Sequence, residues 1–112
     1  MSSHDDLSDK LAVARFQAAV NTEFSLSVQG GTRPIPLRLT EVTVRDSPAG
    51  FEQFAALFEG PPEPLLPQGT YAISHPSFGE IPLFIVPVAR SPSSVSYEVC
   101  VVRRRVQPER GA

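Results

Sequence analysis

The apolar residues recur at helical spacing near the start of the chain. Between residues 9 and 19 they stand three or four positions apart, which predicts one amphipathic helix over that range. Ser8 is a suitable N-terminal cap for it. Asn21 is predicted to end it, because Asn tolerates the left-handed conformation that often follows a helix. The residues that form the pattern are Leu11, Ala12, Arg15, Phe16 and Ala19.

From Phe24 onwards the apolar period is close to two, which predicts β-strands. The apolar parity shifts by one residue near Thr40 and Glu41, which predicts a β-bulge. The proline-rich residues 60–69 predict a stiff connector. We therefore expect a mainly β fold, a small antiparallel six-stranded barrel or a strongly bent meander with one N-terminal helix. The six predicted strands cover residues 24–28, 35–44, 51–58, 71–75, 79–90 and 95–101.

The fifth predicted strand, residues 79–90, is apolar on both of its faces. One face carries Ile81, Leu83, Ile85 and Ala89, and the other carries Phe84, Val86 and Val88. The core of a chain this short can cover either one of these faces, and only the single helix or another chain could cover the other. If the helix lies elsewhere, the second face is an exposed apolar patch. Phe84, Val86 and Val88 are therefore our candidate partner-binding residues, for a protein partner or for self-association into a homo-oligomer.

The length of 112 residues indicates one domain, which we place at residues 9–106. Residues 1–8 and 107–112 are polar, and we expect them to be disordered tails. The acidic start lacks the pattern of a signal peptide, and prolines interrupt the most apolar segment. We expect no membrane segment and a cytoplasmic location, either free or as part of an assembled particle.

The sequence carries no recognisable catalytic, phosphate-binding or metal-binding motif, so we expect no enzyme, no metal and no cofactor. The histidines are His4, in the tail, and His75, which stands before a proline and is expected to fix a turn. The lone Cys100 is expected to be a shielded, apolar member of the sheet. A net charge of -2 argues against nucleic acid as a partner.

Four short motifs follow one another along the chain: Phe-Ala-Ala-Leu-Phe-Glu-Gly-Pro at 54–61, Leu-Pro-Gln-Gly-Thr-Tyr at 66–71, His-Pro-Ser-Phe-Gly at 75–79 and Leu-Phe-Ile-Val-Pro at 83–87. In this order they resemble a family of small uncharacterised bacterial domains of unknown function. The resemblance covers about residues 12–102 and implies no activity. Members are often encoded beside proteins that resemble phage tail fibres or collars, so the resemblance implies at most a part in assembling a tail-like or fibre-like structure. The chain departs from the family where it continues into Arg103, Arg104 and Arg105.

Three functions remain open from the sequence. We favour a non-enzymatic structural or protein-interaction domain. The first alternative is a small-molecule binder that uses Tyr71 and His75 as polar groups in the barrel mouth. The second is a weak nucleic-acid or anion binder that uses Arg103, Arg104 and Arg105, which we expect to lie in solvent at the end of the last strand.

Overall fold

Six antiparallel strands wrap into a closed barrel, and one short helix blocks one end of it. The computed structural model describes residues 11–28, 31 and 33–104. The predicted fold class is confirmed, while both predicted tails, residues 1–8 and 107–112, lie outside the described residues. The elements are α1 (Val13–Ala18), β1 (Glu23–Ser27), β2 (Ile35–Arg45), β3 (Phe51–Gly60), β4 (Gly69–His75), β5 (Gly79–Arg90) and β6 (Val95–Arg104).

The strand order around the barrel is β1-β2-β3-β6-β5-β4. Strands β1 to β3 form one meander and β4 to β6 form another, so the predicted meander is present in two halves. The halves meet where β3 pairs with β6 and where β1 pairs with β4. The proline-rich residues 61–68 connect β3 to β4 across one end of the barrel. We call this the link end.

The helix α1 starts later than its predicted first residue. Leu11 and Ala12 are not helical, and Ala12 provides no side-chain cap. Asn21 has a φ of 72°, so the predicted left-handed terminator is confirmed. Ser8 and Asp9 lie outside the described residues.

Register shifts let the sheet curl as the sequence predicted. The pairing of β2 with β3 slips between Leu39 and Glu41, which confirms the predicted bulge. A second irregularity lies between Pro87 and Ala89, where β5 pairs with β6. Proline has no N–H to contribute to a ladder, so an irregular position suits Pro87.

Apolar side chains fill the interior of the barrel. Five phenylalanine rings contact one another in this interior. The ring centroid of Phe16, in α1, lies 5.2 Å from that of Phe54 and 4.9 Å from that of Phe78. Phe24 continues the set to Phe58 and Phe78. A helix of six residues has little stability of its own, so the burial of Phe16 is what holds α1 in place. We call the end that α1 blocks, together with residues 76–78, the helix end.

Leu66 fills the link end much as Phe16 fills the helix end. It is only 3% exposed, and its N–H donates to the hydroxyl of the buried Tyr97 at 3.0 Å. The hydroxyl of Tyr71 donates to the carbonyl of Pro67 at 2.7 Å. Gly60 allows the close packing beside Tyr97, because a Cβ there would lie 2.7 Å from a methyl group of Leu37.

Candidate functional site

The two faces of β5 have different surroundings. Ile81, Leu83 and Ile85 point into the core and are at most 4% exposed. On the other side Phe84 and Val88 are each 50% exposed, while Val86 is half-buried. We call Phe84, Val86 and Val88 the β5 outer face. Among the described residues α1 does not cover this face, because it packs at the helix end against β2 and β3.

The neighbouring strand β6 also exposes small apolar residues on its outer side. Val102 is 61% exposed, and Cys100 is exposed on the same side of β6. Glu98, opposite Val86 in the register, lies 3.6 Å from the guanidinium of Arg45. An apolar area bordered by charged groups is typical of a surface that meets another protein.

The expectation that Cys100 is shielded is wrong. Val95, Tyr97, Val99 and Val101 take the inward positions of β6, so strict alternation turns Cys100 towards solvent. Partial burial among its neighbours raises the pKa of the thiol. The Glu98 carboxylate raises that pKa further by its charge and by a hydrogen bond, and Arg45 opposes the shift. The thiol is accessible but is held in its weakly reactive, protonated form.

The predicted arginine cluster does not form one basic surface. Arg103 was expected in solvent, but its side chain is only 17% exposed and its Nε donates to Oε2 of Glu52 at 2.9 Å. The same carboxylate oxygen accepts from the N–H of Val13, at 2.9 Å, so Glu52 joins β3, β6 and the start of α1. Arg104 points to the opposite side of the strand and lies over the ring of Phe51. Arg105 lies outside the described residues.

Tyr71 and His75 do not share one pocket. Both lie on β4, yet Tyr71 lines a surface cavity of about 510 Å³ with Ser27 and Thr70. His75 lines a different cavity of about 450 Å³ with Arg15 and Thr22. Four residues of extended strand separate them by roughly 13 Å. The interior between them is filled by the core, so the predicted pair of polar groups in one apolar cup is not formed.

His75 instead belongs to a chain of hydrogen bonds at the helix end. Its Nδ1 accepts from the N–H of Ser77 at 3.0 Å, which confirms the expected role in fixing a turn. Its Nε2 lies 2.8 Å from Oγ1 of Thr22, and that hydroxyl donates to the carbonyl of Ala19 at 2.6 Å. The ring packs on Phe24 with centroids 4.3 Å apart. Burial lowers the pKa of His75.

Other kinds of site find little support in the described part of the chain. Within residues 11–28, 31 and 33–104, no three His, Cys, Asp or Glu side chains come together as a metal site. No helix among them has the length and apolar character needed to cross a membrane.

Comparison with known families gives one match. Residues 11–101 match a family described as a domain of unknown function, DUF6916. The chain belongs to this family. No curated protein and no solved structure matches it. The family assigns no activity, so any function must be argued from the surfaces of the barrel.

Sequence reasoning missed two features that only distant contacts create. Glu52 holds Arg103 and Val13, from 51 and 39 positions away. Thr22 reaches His75 across 53 positions. No local motif marks either contact. Thr22 stands just before the first predicted strand and His75 ends the fourth, and only the folded barrel makes those two strands neighbours.

Proposed function

We propose that this DUF6916 domain is a non-enzymatic structural or protein-interaction module that docks through the β5 outer face. The observation that carries the proposal is the 50% exposure of both Phe84 and Val88 on a strand whose other face is in the core. Large apolar side chains exposed on the same side of one strand of a small domain often mark a partner surface. The simplest partner is a second copy of the chain, which would bury the same face on both molecules.

A role in a larger assembly is consistent with this surface. In a tail-like or fibre-like structure, an accessory or assembly component needs a rigid body and a face that joins its neighbours. The filled barrel interior supplies the first and the β5 outer face supplies the second. Binding through such a face needs no cofactor and no catalytic group.

The proposal is tested by the size of the protein in solution and by one charge placed on the face. Phe84→Glu should leave the fold intact, because the side chain already faces solvent, and should convert an associated parent into a monomer. Sedimentation velocity at increasing concentration measures the size, and circular dichroism checks the fold. Leu83→Glu, one residue away, should unfold the domain because Leu83 is 4% exposed.

Leu65→Glu is the matched control, since Leu65 is 44% exposed but lies in the connector at the link end. It should leave both the fold and the size of the parent unchanged. A parent that stays monomeric at high concentration would reject self-association through this face. A Leu65→Glu variant that dissociates as fully as Phe84→Glu would show that charge alone, and not the face, controls association.

A further inference from the structure

The hydrogen bonds around His75 determine where its ring proton lies. Nδ1 faces the N–H of Ser77, which can only donate, so Nδ1 must be the unprotonated acceptor. The proton of the neutral ring is then on Nε2 and is donated to Oγ1 of Thr22. The hydroxyl of Thr22 in turn donates a hydrogen bond to the carbonyl of Ala19. We call Ser77, His75, Thr22 and Ala19 the His75 hydrogen-bond chain.

This chain joins two separate parts of the helix end. Ser77 lies in the turn between β4 and β5, and Ala19 is the C-terminal cap of α1. Ala19 is 4% exposed and is followed by the left-handed Asn21, so the chain ends where the polypeptide leaves the helix. A change in the hydrogen bonds of His75 therefore affects Ala19, the C-terminal cap of α1.

We propose that His75 is an acid-sensitive switch, whose neutral ring ties the β4–β5 turn to the end of α1 and whose protonation releases that tie. A proton on Nδ1 turns the acceptor of the Ser77 N–H into a donor, so two donors face each other and this bond is lost. The ring must then shift, and the contact with Thr22 shifts with it. The expected result is a loosened helix end with the rest of the barrel intact.

Among the described residues, one charged side chain lines the cavity of His75. From α1, Arg15 lines the same cavity and its guanidinium donates to the carbonyl of Ser77 at 2.7 Å. From β1 and from the turn, the groups against the ring are those of Phe24 and Phe78, which do not ionise. The other described residues that line the cavity are Ala18, Ala19, Thr22 and Ser77, which carry no charge.

The direction of the pH dependence follows from these contacts. Burial lowers the pKa of His75 in the folded protein, so the folded state favours the neutral ring. The unfolded chain binds the proton first, at a pKa of about 6.5. The stabilisation from the neutral ring is therefore complete above pH ~6.5, and it is lost as the pH falls from there through the lowered pKa.

The test combines an NMR titration with amide exchange. The ring signals of the two histidines are distinguished by a His4→Gln variant, and the pKa of His75 is measured in the folded protein and in urea. We expect a lower value in the folded protein. Over the same pH range, the protection of the Phe16 and Ala19 amides should fall while that of the β3–β6 ladder stays constant. Protection factors, rather than raw rates, remove the intrinsic effect of pH on exchange.

The Thr22→Val variant separates the protonation of His75 from its effect on α1. The valine keeps the shape but removes the hydroxyl, so His75 should still titrate below its unfolded value while the protection at Phe16 and Ala19 no longer depends on pH. Thr22→Ser is the matched control that restores the hydroxyl and should behave like the parent. The switch is rejected if His75 has the same pKa in both states, or if Thr22→Val keeps the full pH dependence of the parent.

Discussion

The helix end and the link end close the same barrel by different chemistry. At each, one apolar side chain fills the opening: Phe16, fully buried, at the helix end, and Leu66, 3% exposed, at the link end. The link end is secured by the hydroxyls of Tyr97 and Tyr71, which bond backbone groups of the connector. The helix end is secured by ionisable side chains, those of Glu52 and His75.

This difference in chemistry bears on how the stability of each end depends on pH. The hydrogen bonds at the link end join tyrosine hydroxyls to backbone groups, with no histidine among their partners. An imidazole changes its charge between pH 5 and 8. We therefore expect pH to affect the helix end, where His75 lies, more than the link end.

The largest effect is expected from emptying the two openings. Phe16→Ala should lower the free energy of unfolding by about 3–5 kcal/mol, because it removes the aromatic contacts with Phe54 and Phe78 and the main anchor of α1. Leu66→Ala should cost about 2–4 kcal/mol, since a smaller side chain is lost. Urea unfolding of both variants measures the difference. A greater loss for Leu66→Ala would reverse the comparison and make the connector the main closure.

The next effect concerns the charged contact at the helix end. Glu52→Gln should lower the free energy of unfolding by about 2 kcal/mol, because it weakens the hydrogen bonds that the carboxylate accepts from Val13 and Arg103. Both bonds are charge-assisted, and the Glu52 side chain is only 11% exposed. Glu59→Gln, at an exposed position of the same strand, is the control and should change little. Equal losses for the two variants would mean that the Glu52 contact adds no stability.

At the link end, Tyr97→Phe should cost about 1–2 kcal/mol. The variant keeps the ring in the core but leaves the N–H of Leu66 without its acceptor. The loss should be the same at pH 5 and at pH 8, in contrast to the pH-dependent contribution of His75. Thermal unfolding of the parent and the variant at both pH values measures this. A loss that changes with pH would remove the distinction between the two ends.

The smallest effect is expected in the wall between the ends. Cys100→Ser should change stability by less than about 0.5 kcal/mol, since the side chain is exposed. In the parent the thiol should react with a thiol reagent in native buffer, at a rate that rises with pH as the thiolate forms. Because the pKa of Cys100 is raised, this rise should occur at a higher pH than for an ordinary cysteine. Reaction only after unfolding would mean that the outer side of β6 is covered, for example by a partner molecule.

Much of the fold was predictable from local patterns. Alternation along 95–101 placed the core row of β6, and the parity shift near Thr40 located the bulge between Leu39 and Glu41. These features follow from the two-residue period of a strand, because each residue of a strand points to the face opposite to that of its neighbours. The same alternation, applied to Cys100 itself, would have placed its thiol outside. An apolar neighbourhood along the chain was mistaken for an apolar neighbourhood in space.

The sequence by itself determined the strands, the inward faces of those that alternate and the presence of a helix, because these depend on neighbouring residues. Only the tertiary structure decided that β3 pairs with β6 instead of β4, and that the connector crosses the link end. It also decided which of the two apolar faces of β5 enters the core, and that α1 fills one end of the barrel instead of covering the β5 outer face. Contacts such as Glu52 with Arg103 and Thr22 with His75 depend on how the barrel closes. They join residues more than 50 positions apart, a distance at which side-chain period carries no information.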